Sequence, residues 1–156
     1  MEAIGDDPVS QTNFNKIFSR IPSTASVFIK MDIEGWEYQS LPGLEDYFDR
    51  ITGIAVEFHH VDTMLEDVCR SVSNLEKSLD IVHVHINNGG VIDERGIPDT
   101  VEMTFENKRL NQEPTRSSER TYPVDGLDFP NVTDRKDYKL EFRDDIQECS
   151  GAEIQT

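Results

Sequence analysis

The order of apolar and polar residues predicts an α/β chain. Residues 27–33 and 51–58 are almost continuously apolar and rich in β-branched and aromatic side chains, which is typical of buried strands. A helix is expected after each strand: from Glu37 to about Leu41 after the first, and over residues 63–79, with an apolar stripe on one face, after the second. This order favours two adjacent, parallel strands.

The period changes after residue 80. Residues 81–87 and 100–105 alternate apolar and polar side chains, as strands with two different faces do. An Asn-Asn-Gly-Gly turn at 87–90 opens the connection between them. We therefore expect an antiparallel hairpin with a long loop at the edge of the sheet, followed by a polar loop over residues 107–121.

Three segments are expected along the chain. Residues 1–24 hold a short amphipathic helix, over 10–20, and a linker. Residues 25–142 form the folded domain, in which 139–142 are the last short strand. The acidic segment 143–156 is expected to be a disordered tail.

Charge and composition restrict the partners. Thirty-one acidic against fifteen basic residues give a net charge of -16, which repels phosphate backbones and anionic lipids, so nucleic acid and membrane surfaces are not expected partners. No apolar run approaches the roughly 20 residues that cross a bilayer, and acidic residues follow Met1, so neither a membrane helix nor a signal peptide is expected. Cys69 and Cys149 form neither a disulfide framework nor a zinc cluster, which favours a reducing, cytoplasmic location.

Polar side chains follow both apolar strands. Asp32 and Glu34 end the first strand, where carboxylates can bind a substrate, hold a metal, or simply cap the next helix. His59 and His60 end the second strand and point in opposite directions, so at most one faces the crevice. That histidine could accept a proton from an attacking hydroxyl or amine, or bind a metal; two solvated histidines are the alternative.

His83, His85 and Asn87 share one face of the third strand by their spacing of two. His-x-His on a strand can bind a metal, but no further ligands stand at a fixed spacing, so a hydrogen-bonded histidine face is the simpler interpretation and no metal is predicted. Asn87 and Asn88 begin a loop that either faces a substrate or is a plain turn.

A glycine-rich turn after an early strand, which dinucleotide and adenosylmethionine sites require, does not occur in the sequence. Gly5 stands alone, and Gly89-Gly90 follows the third strand rather than the first.

Several of these segments together resemble one family. Residues 29–37 (IKMDIEGWE) resemble the KxDxEGxE signature of FkbM-type, S-adenosylmethionine-dependent methyltransferases, and Leu41-Pro42-Gly43 continues it. Further blocks agree in order and kind, and the resemblance covers about residues 25–142. These blocks are 56–59 (VEFH), 83–88 (HVHINN), 98–105 (PDTVEMTF) and the closing segment 122–142.

The resemblance implies a class I, Rossmann-like methyltransferase sheet with one antiparallel strand at its edge. This chain would hold the carboxyl-terminal half: two parallel strands plus an antiparallel edge hairpin. Methyl transfer from S-adenosylmethionine to an oxygen, less often a nitrogen, of a small molecule, sugar or lipid headgroup is implied. Asp32 and Glu34 would lie near the transferred methyl, Asp32 also at the cofactor, and His59 would be the base. The acceptor pocket would be shaped by His85, Asn87 and Asn88.

Without the glycine loop and a ribose-binding acid, this chain alone is not expected to bind S-adenosylmethionine. It would then be a fragment or an inactive truncated paralogue. Two alternatives remain open. One is a non-catalytic interaction module that pairs with a protein partner, or with another copy of itself, through an exposed sheet edge. The other is a small metal-binding domain that uses His83, His85 and nearby carboxylates.

Overall fold

The computed structural model of the protein describes residues 11–111 and 121–140. The tail expected at 143–156 and the last two residues of the strand expected at 139–142 lie outside these ranges. The elements, in chain order, are helix α1 (Gln11–Ser19), strand β1 (Val27–Met31), helix α2 (Glu37–Ser40), a 3-10 helix (Leu41–Tyr47), strand β2 (Ile51–Phe58), helix α3 (Leu65–Leu75), strand β3 (Leu79–Ile86), strand β4 (Val101–Asn107) and a second 3-10 helix (Lys108–Leu110).

The four strands form one sheet in the order β1-β2-β4-β3. The expected pairings are confirmed, because β1 and β2 are parallel and β3 and β4 are antiparallel. The hairpin of β3 and β4 lies at one edge of the described sheet, as expected. The antiparallel strand β4 is its inner strand, between β2 and β3, so the antiparallel edge strand that the resemblance implied is wrong. Strand β3 therefore runs in the same direction as β1 and β2, and the carboxyl ends of all three meet at one side of the sheet.

Burial agrees with the inner position of β4. Phe105, near its centre, is fully buried, whereas Val82 of the edge strand β3 is 45% exposed. The inner strand has a neighbour on both sides, and among the described strands the edge strand has one.

Strand β1 is less buried than its apolar sequence indicated. Its side chains alternate in exposure, and Phe28 is 59% exposed. The reason is its place in the sheet, since among the described strands β1 pairs only with β2. Strand β2 is the central element, with Ile51, Ile54 and Phe58 fully buried.

Helix α1 packs into the same core as the sheet. Phe14 and Phe18 are buried there, and the ring of Phe18 stacks on Tyr47 with centroids 4.0 Å apart. The guanidinium group of Arg50 donates hydrogen bonds to the carbonyls of Ile21 and Pro22, just beyond the end of α1. The amino-terminal helix and the sheet therefore share one apolar cluster.

The helix expected from Glu37 is a single α-helical turn that continues as a 3-10 helix to Tyr47, because Pro42 at the start of the second part cannot donate a hydrogen bond. In the described ranges, no helix combines the length and the apolar content needed to cross a membrane.

Cys69, in α3, is disulfide-bonded. No disulfide was expected from the sequence. Disulfides persist mainly in oxidising compartments. The cytoplasmic location inferred from the sequence therefore stays a prediction that the cysteine chemistry does not favour.

Candidate functional site

The turn after β1 has an unusual backbone. Glu34 has a φ of 55° and Gly35 a φ of 96°, so two successive residues lie in the left-handed region, which is uncommon for a non-glycine residue. The carboxylate of Glu37 closes this turn, because its Oε1 accepts hydrogen bonds from the backbone N–H groups of Ile33 (3.0 Å) and Gly35 (3.3 Å). Neither predicted carboxylate caps α2, whose N-cap is Trp36.

The loop after β2 packs against this turn. His60 also has a positive φ, of 58°, and a Cβ atom added at Gly35 would lie only 3.2 Å from the His60 ring. A glycine at position 35 is thus favoured by its φ and by the neighbouring ring. The side chain of His60 is 60% exposed and that of His59 only 13%, in line with the expectation that the two histidines point different ways.

Two residues at the start of α2 hold His59. Its ring Nδ1 lies 3.1 Å from Oε1 of the fully buried Glu37. The hydroxyl of Tyr38 donates a hydrogen bond to the His59 carbonyl, at 2.5 Å. Burial, and then the charge of Glu37, raise the pKa of Tyr38 far above its ordinary value, so the hydroxyl remains a donor. Both the ring and the backbone of His59 are therefore fixed.

The other ring nitrogen of His59 faces carboxylates. Its Nε2 lies 3.6 Å from Glu34 Oε2, 3.8 Å from Glu57 Oε1 and 3.9 Å from Asp32 Oδ1. We call Asp32, Glu34, Glu37, Glu57 and His59 the His59 cluster. A cation also lies beside it, because Lys30 Nζ is 3.6 Å from Glu57 and 3.9 Å from Asp32. Four carboxylates against one lysine leave the cluster strongly negative.

Asn87 joins the His59 cluster from β3. Its Nδ2 donates a hydrogen bond of 2.9 Å to Glu57 Oε1, and its Oδ1 accepts one of 2.8 Å from the Gly89 N–H. The site is therefore built from the carboxyl ends of β1, β2 and β3, where the strand directions bring them together.

His85 and His83 lie in a different setting. The ring of His85, on a residue only 5% exposed, is 3.2 Å from Glu102 at Nδ1 and 3.0 Å from Asp137 at Nε2. His83 Nε2 lies 2.7 Å from Asp128. Both rings thus anchor the irregular segment 121–140.

Asn88 also anchors that segment. It is fully buried, its Nδ2 donates to the carbonyls of Val132 and Arg135, and its Oδ1 accepts from the Val132 N–H at 2.7 Å. Because both ends of the amide have partners, Asn88 positions the segment.

Among the described residues, the group with atoms close enough to share a metal ion is Asp32, Glu34 and His59, whose candidate ligand atoms lie within 4.8 Å of one another. His83 and His85 do not belong to it, which differs from the alternative metal site inferred from the sequence.

The sequence analysis gave no role to the acidic residues that contact the histidines, either in the His59 cluster or around His83 and His85. Glu37 could have been found, because it is the last position of the KxDxEGxE segment. Asp128 and Asp137 carry no local signal, since they lie 45 and 52 residues from the histidines they contact. The overlooked residues are Glu37, Glu57, Glu102, Asp128 and Asp137.

The fold and site thus define a mixed α/β protein with a polar site at the carboxyl ends of parallel strands. Residues 2–93 match the model of the methyltransferase FkbM domain. The chain belongs to this family, because the match covers more than half of it. The matched range begins before residue 25, where the resemblance was first placed, and ends before β4. No curated protein and no solved structure matches the chain.

The contacts of His85 predict a pH-dependent stability. Burial by itself would lower its pKa, but the hydrogen bonds to Asp137 and Glu102 outweigh burial and raise the pKa above its ordinary 6.5. A raised pKa means that the folded state holds the proton more tightly, so this contribution is complete below about pH 6.5 and is lost as the pH rises through the raised pKa. An NMR titration of the His85 ring, with urea unfolding across the same range, measures both.

Asp137→Asn is the matched variant, since it keeps the shape of the side chain and removes its charge. We expect the pKa of His85 to fall and the pH dependence of unfolding to shrink. A His85 ring that titrates at or below 6.5 in the unmodified chain would contradict this account.

Proposed function

We propose that this protein takes part in the transfer of a methyl group to an oxygen, less often a nitrogen, of a small molecule, sugar or lipid headgroup. The chain belongs to a methyltransferase family, and S-adenosylmethionine is the donor that this family implies. The observation that carries the proposal is His59, whose Nδ1 is held by Glu37 while its Nε2 points into a cluster at the carboxyl side of the sheet.

In this proposal His59 is the base. Its Nε2 would accept the proton of the acceptor hydroxyl, which leaves the acceptor oxygen able to attack. Glu37 keeps the ring oriented and stabilises the positive charge that develops on it, as the buried carboxylate of a catalytic triad does. Asp32 and Glu34, 43% and 86% exposed at their side chains, can accept hydrogen bonds from other polar groups of the acceptor.

The residues at the end of β3 and just after it have separate roles in this proposal. Asn87 supports Glu57 and so lies next to the acceptor. His85 and Asn88 act indirectly, since their polar groups hold residues 121–140 beside the site rather than facing it.

The described residues do not fit the adenosylmethionine group well. A bare glycine backbone is what would let that ligand approach. The side-chain space of Gly35 is filled by His60, that of Gly89 by Asn87 and that of Gly90 by Asp99. Asp32, just after β1, is the residue of this chain that we propose to face the cofactor.

A second candidate function is protein interaction through strand β1. Two observations favour it. Among the described strands, β1 pairs only with β2, so the backbone groups of its other side have no partner strand there. Phe28 of β1 is also exposed. A partner strand, or a second copy of the chain, would extend the sheet there.

We expect this chain alone to bind S-adenosylmethionine only weakly. Each missing charge-assisted hydrogen bond forfeits about 1.5 to 3 kcal/mol, so the loss of two or three moves a micromolar site to about millimolar or weaker. Titration calorimetry with the purified 156-residue chain measures this. A dissociation constant at or below the micromolar range would contradict the expectation and reveal a complete cofactor site.

The proposed base predicts the effect of His59→Gln. At about millimolar S-adenosylmethionine, labelled-methyl transfer to a panel of hydroxyl compounds, sugars and lipid headgroups should fall at least about 100-fold, the usual loss for a general base. His60→Asn is the control, because it changes the adjacent, exposed ring and asparagine tolerates a positive φ. Equal rates for His59→Gln and the unmodified chain, or no transfer to any acceptor, would count against the proposal.

A further inference from the structure

The arrangement around His59 Nε2 has the dimensions of a metal site. Two ligands bound at about 2.1 Å to one ion lie about 3.0 to 4.2 Å apart, for angles between about 90° and 180° at the ion. The distances from Nε2 to Glu34 and Asp32 are 3.6 and 3.9 Å, which both fall in that range. The three side chains come from the ends of two adjacent parallel strands, so the fold holds them together.

Exposed acidic groups often approach one another without an ion, so a metal site needs a second feature. The independent observation is Glu37. Its side chain is fully buried and directed at the His59 ring, and its Oε2 has no hydrogen-bond partner within the part of the chain that the structure describes. A buried carboxylate with an unpartnered oxygen is costly unless a positive charge lies nearby.

Lys30 does not supply that charge. Its ammonium lies 3.6 Å or more from Glu57 and Asp32, beyond hydrogen-bond distance, and its side chain is 57% exposed. When the His59 ring is neutral, one exposed lysine leaves three of the four negative charges of the cluster uncompensated. A doubly charged ion at Nε2 would offset most of the remainder.

Glu37 also prepares His59 as a ligand. Metal-binding histidines usually donate the N–H of their second ring nitrogen to a carboxylate, which fixes the ring and leaves the first nitrogen free to bind. The pair Glu37 and His59 has this arrangement, with Nδ1 at 3.1 Å from the carboxylate and Nε2 directed at the other acidic residues.

We propose that the His59 cluster binds one divalent first-row metal ion, represented by Mn²⁺, through His59 Nε2 and the carboxylates of Asp32 and Glu34. One imidazole with several carboxylates suits such an ion, because carboxylates favour Mg²⁺, Ca²⁺ and Mn²⁺, whereas imidazole favours the transition metals. Glu57 lies at the distance of a fourth ligand, 3.8 Å from Nε2, and Asn87 holds it there.

A role for this ion in catalysis rests on the proposed methyl transfer. A cation beside Nε2 would stabilise the negative charge that develops on an acceptor oxygen. With the ion bound, Nε2 is a ligand and cannot accept a proton, so the role of base proposed above belongs to the metal-free protein. Binding of the ion does not depend on that activity, and the experiment below uses no cofactor and no acceptor.

The test is a titration of the full 156-residue chain with Mn²⁺, followed by the six-line electron paramagnetic resonance signal of the free ion. We expect one equivalent of Mn²⁺ to be bound before the free signal grows. His59→Gln and Glu34→Gln should each weaken binding at least about tenfold, and Glu37→Gln about 10- to 100-fold, the usual effect of losing a carboxylate behind a ligating histidine.

Two controls separate a specific site from general attraction to an acidic chain. Asp46→Asn removes one exposed charge elsewhere, and His60→Asn removes the neighbouring ring; both should bind Mn²⁺ as the unmodified chain does. Glu34 is 86% exposed, so Glu34→Gln leaves the fold intact even if the buried variants do not fold. A free-ion signal that rises in proportion to Mn²⁺ from the first addition, or equal weakening by Asp46→Asn and Glu34→Gln, would overturn the proposal.

Discussion

One buried carboxylate organises the site. Glu37 is fully buried, and its Oε1 is shared by the N–H groups of Ile33 and Gly35 and by the ring of His59. These contacts close the left-handed turn after β1, fix the start of α2 and orient the histidine that follows β2. Replacing Glu37 by an apolar residue would release the turn and the ring together, because its Oε1 is within hydrogen-bond distance of both.

The sheet brings the remaining groups to the same place. With β4 inserted between β2 and β3, three strands point the same way, and their carboxyl ends deliver Asp32, His59 and Asn87 to one side. The segment 121–140 is held at β3 by His83, His85 and Asn88. Asn87, just after β3, thus supports the His59 cluster. His83, His85 and Asn88 instead bind the segment 121–140.

The elements could be predicted because their signals are local. Apolar runs and alternation identified all four strands, and the apolar stripe identified α3. The place of β4, the exposure of Phe28 and the acidic partners of the histidines depend on contacts between distant segments, which periodicity does not report. The meeting of Asp32, Glu34 and His59 can be predicted, because polar residues at strand ends come together in a parallel sheet. The contacts of His85 with Asp137 and of Asn88 with Val132 join distant parts of the chain and leave no local signal.

The central claim is that Glu37 sets the orientation and tautomer of His59. Correlation of the ring nitrogens with the ring protons by ¹⁵N NMR reports which nitrogen of the neutral imidazole carries the proton. This account predicts that in the neutral ring of His59 the proton is on Nδ1, donated to Glu37, with Nε2 unprotonated, and that Glu37→Gln removes this preference. A neutral His59 ring protonated at Nε2 in the unmodified chain would contradict it.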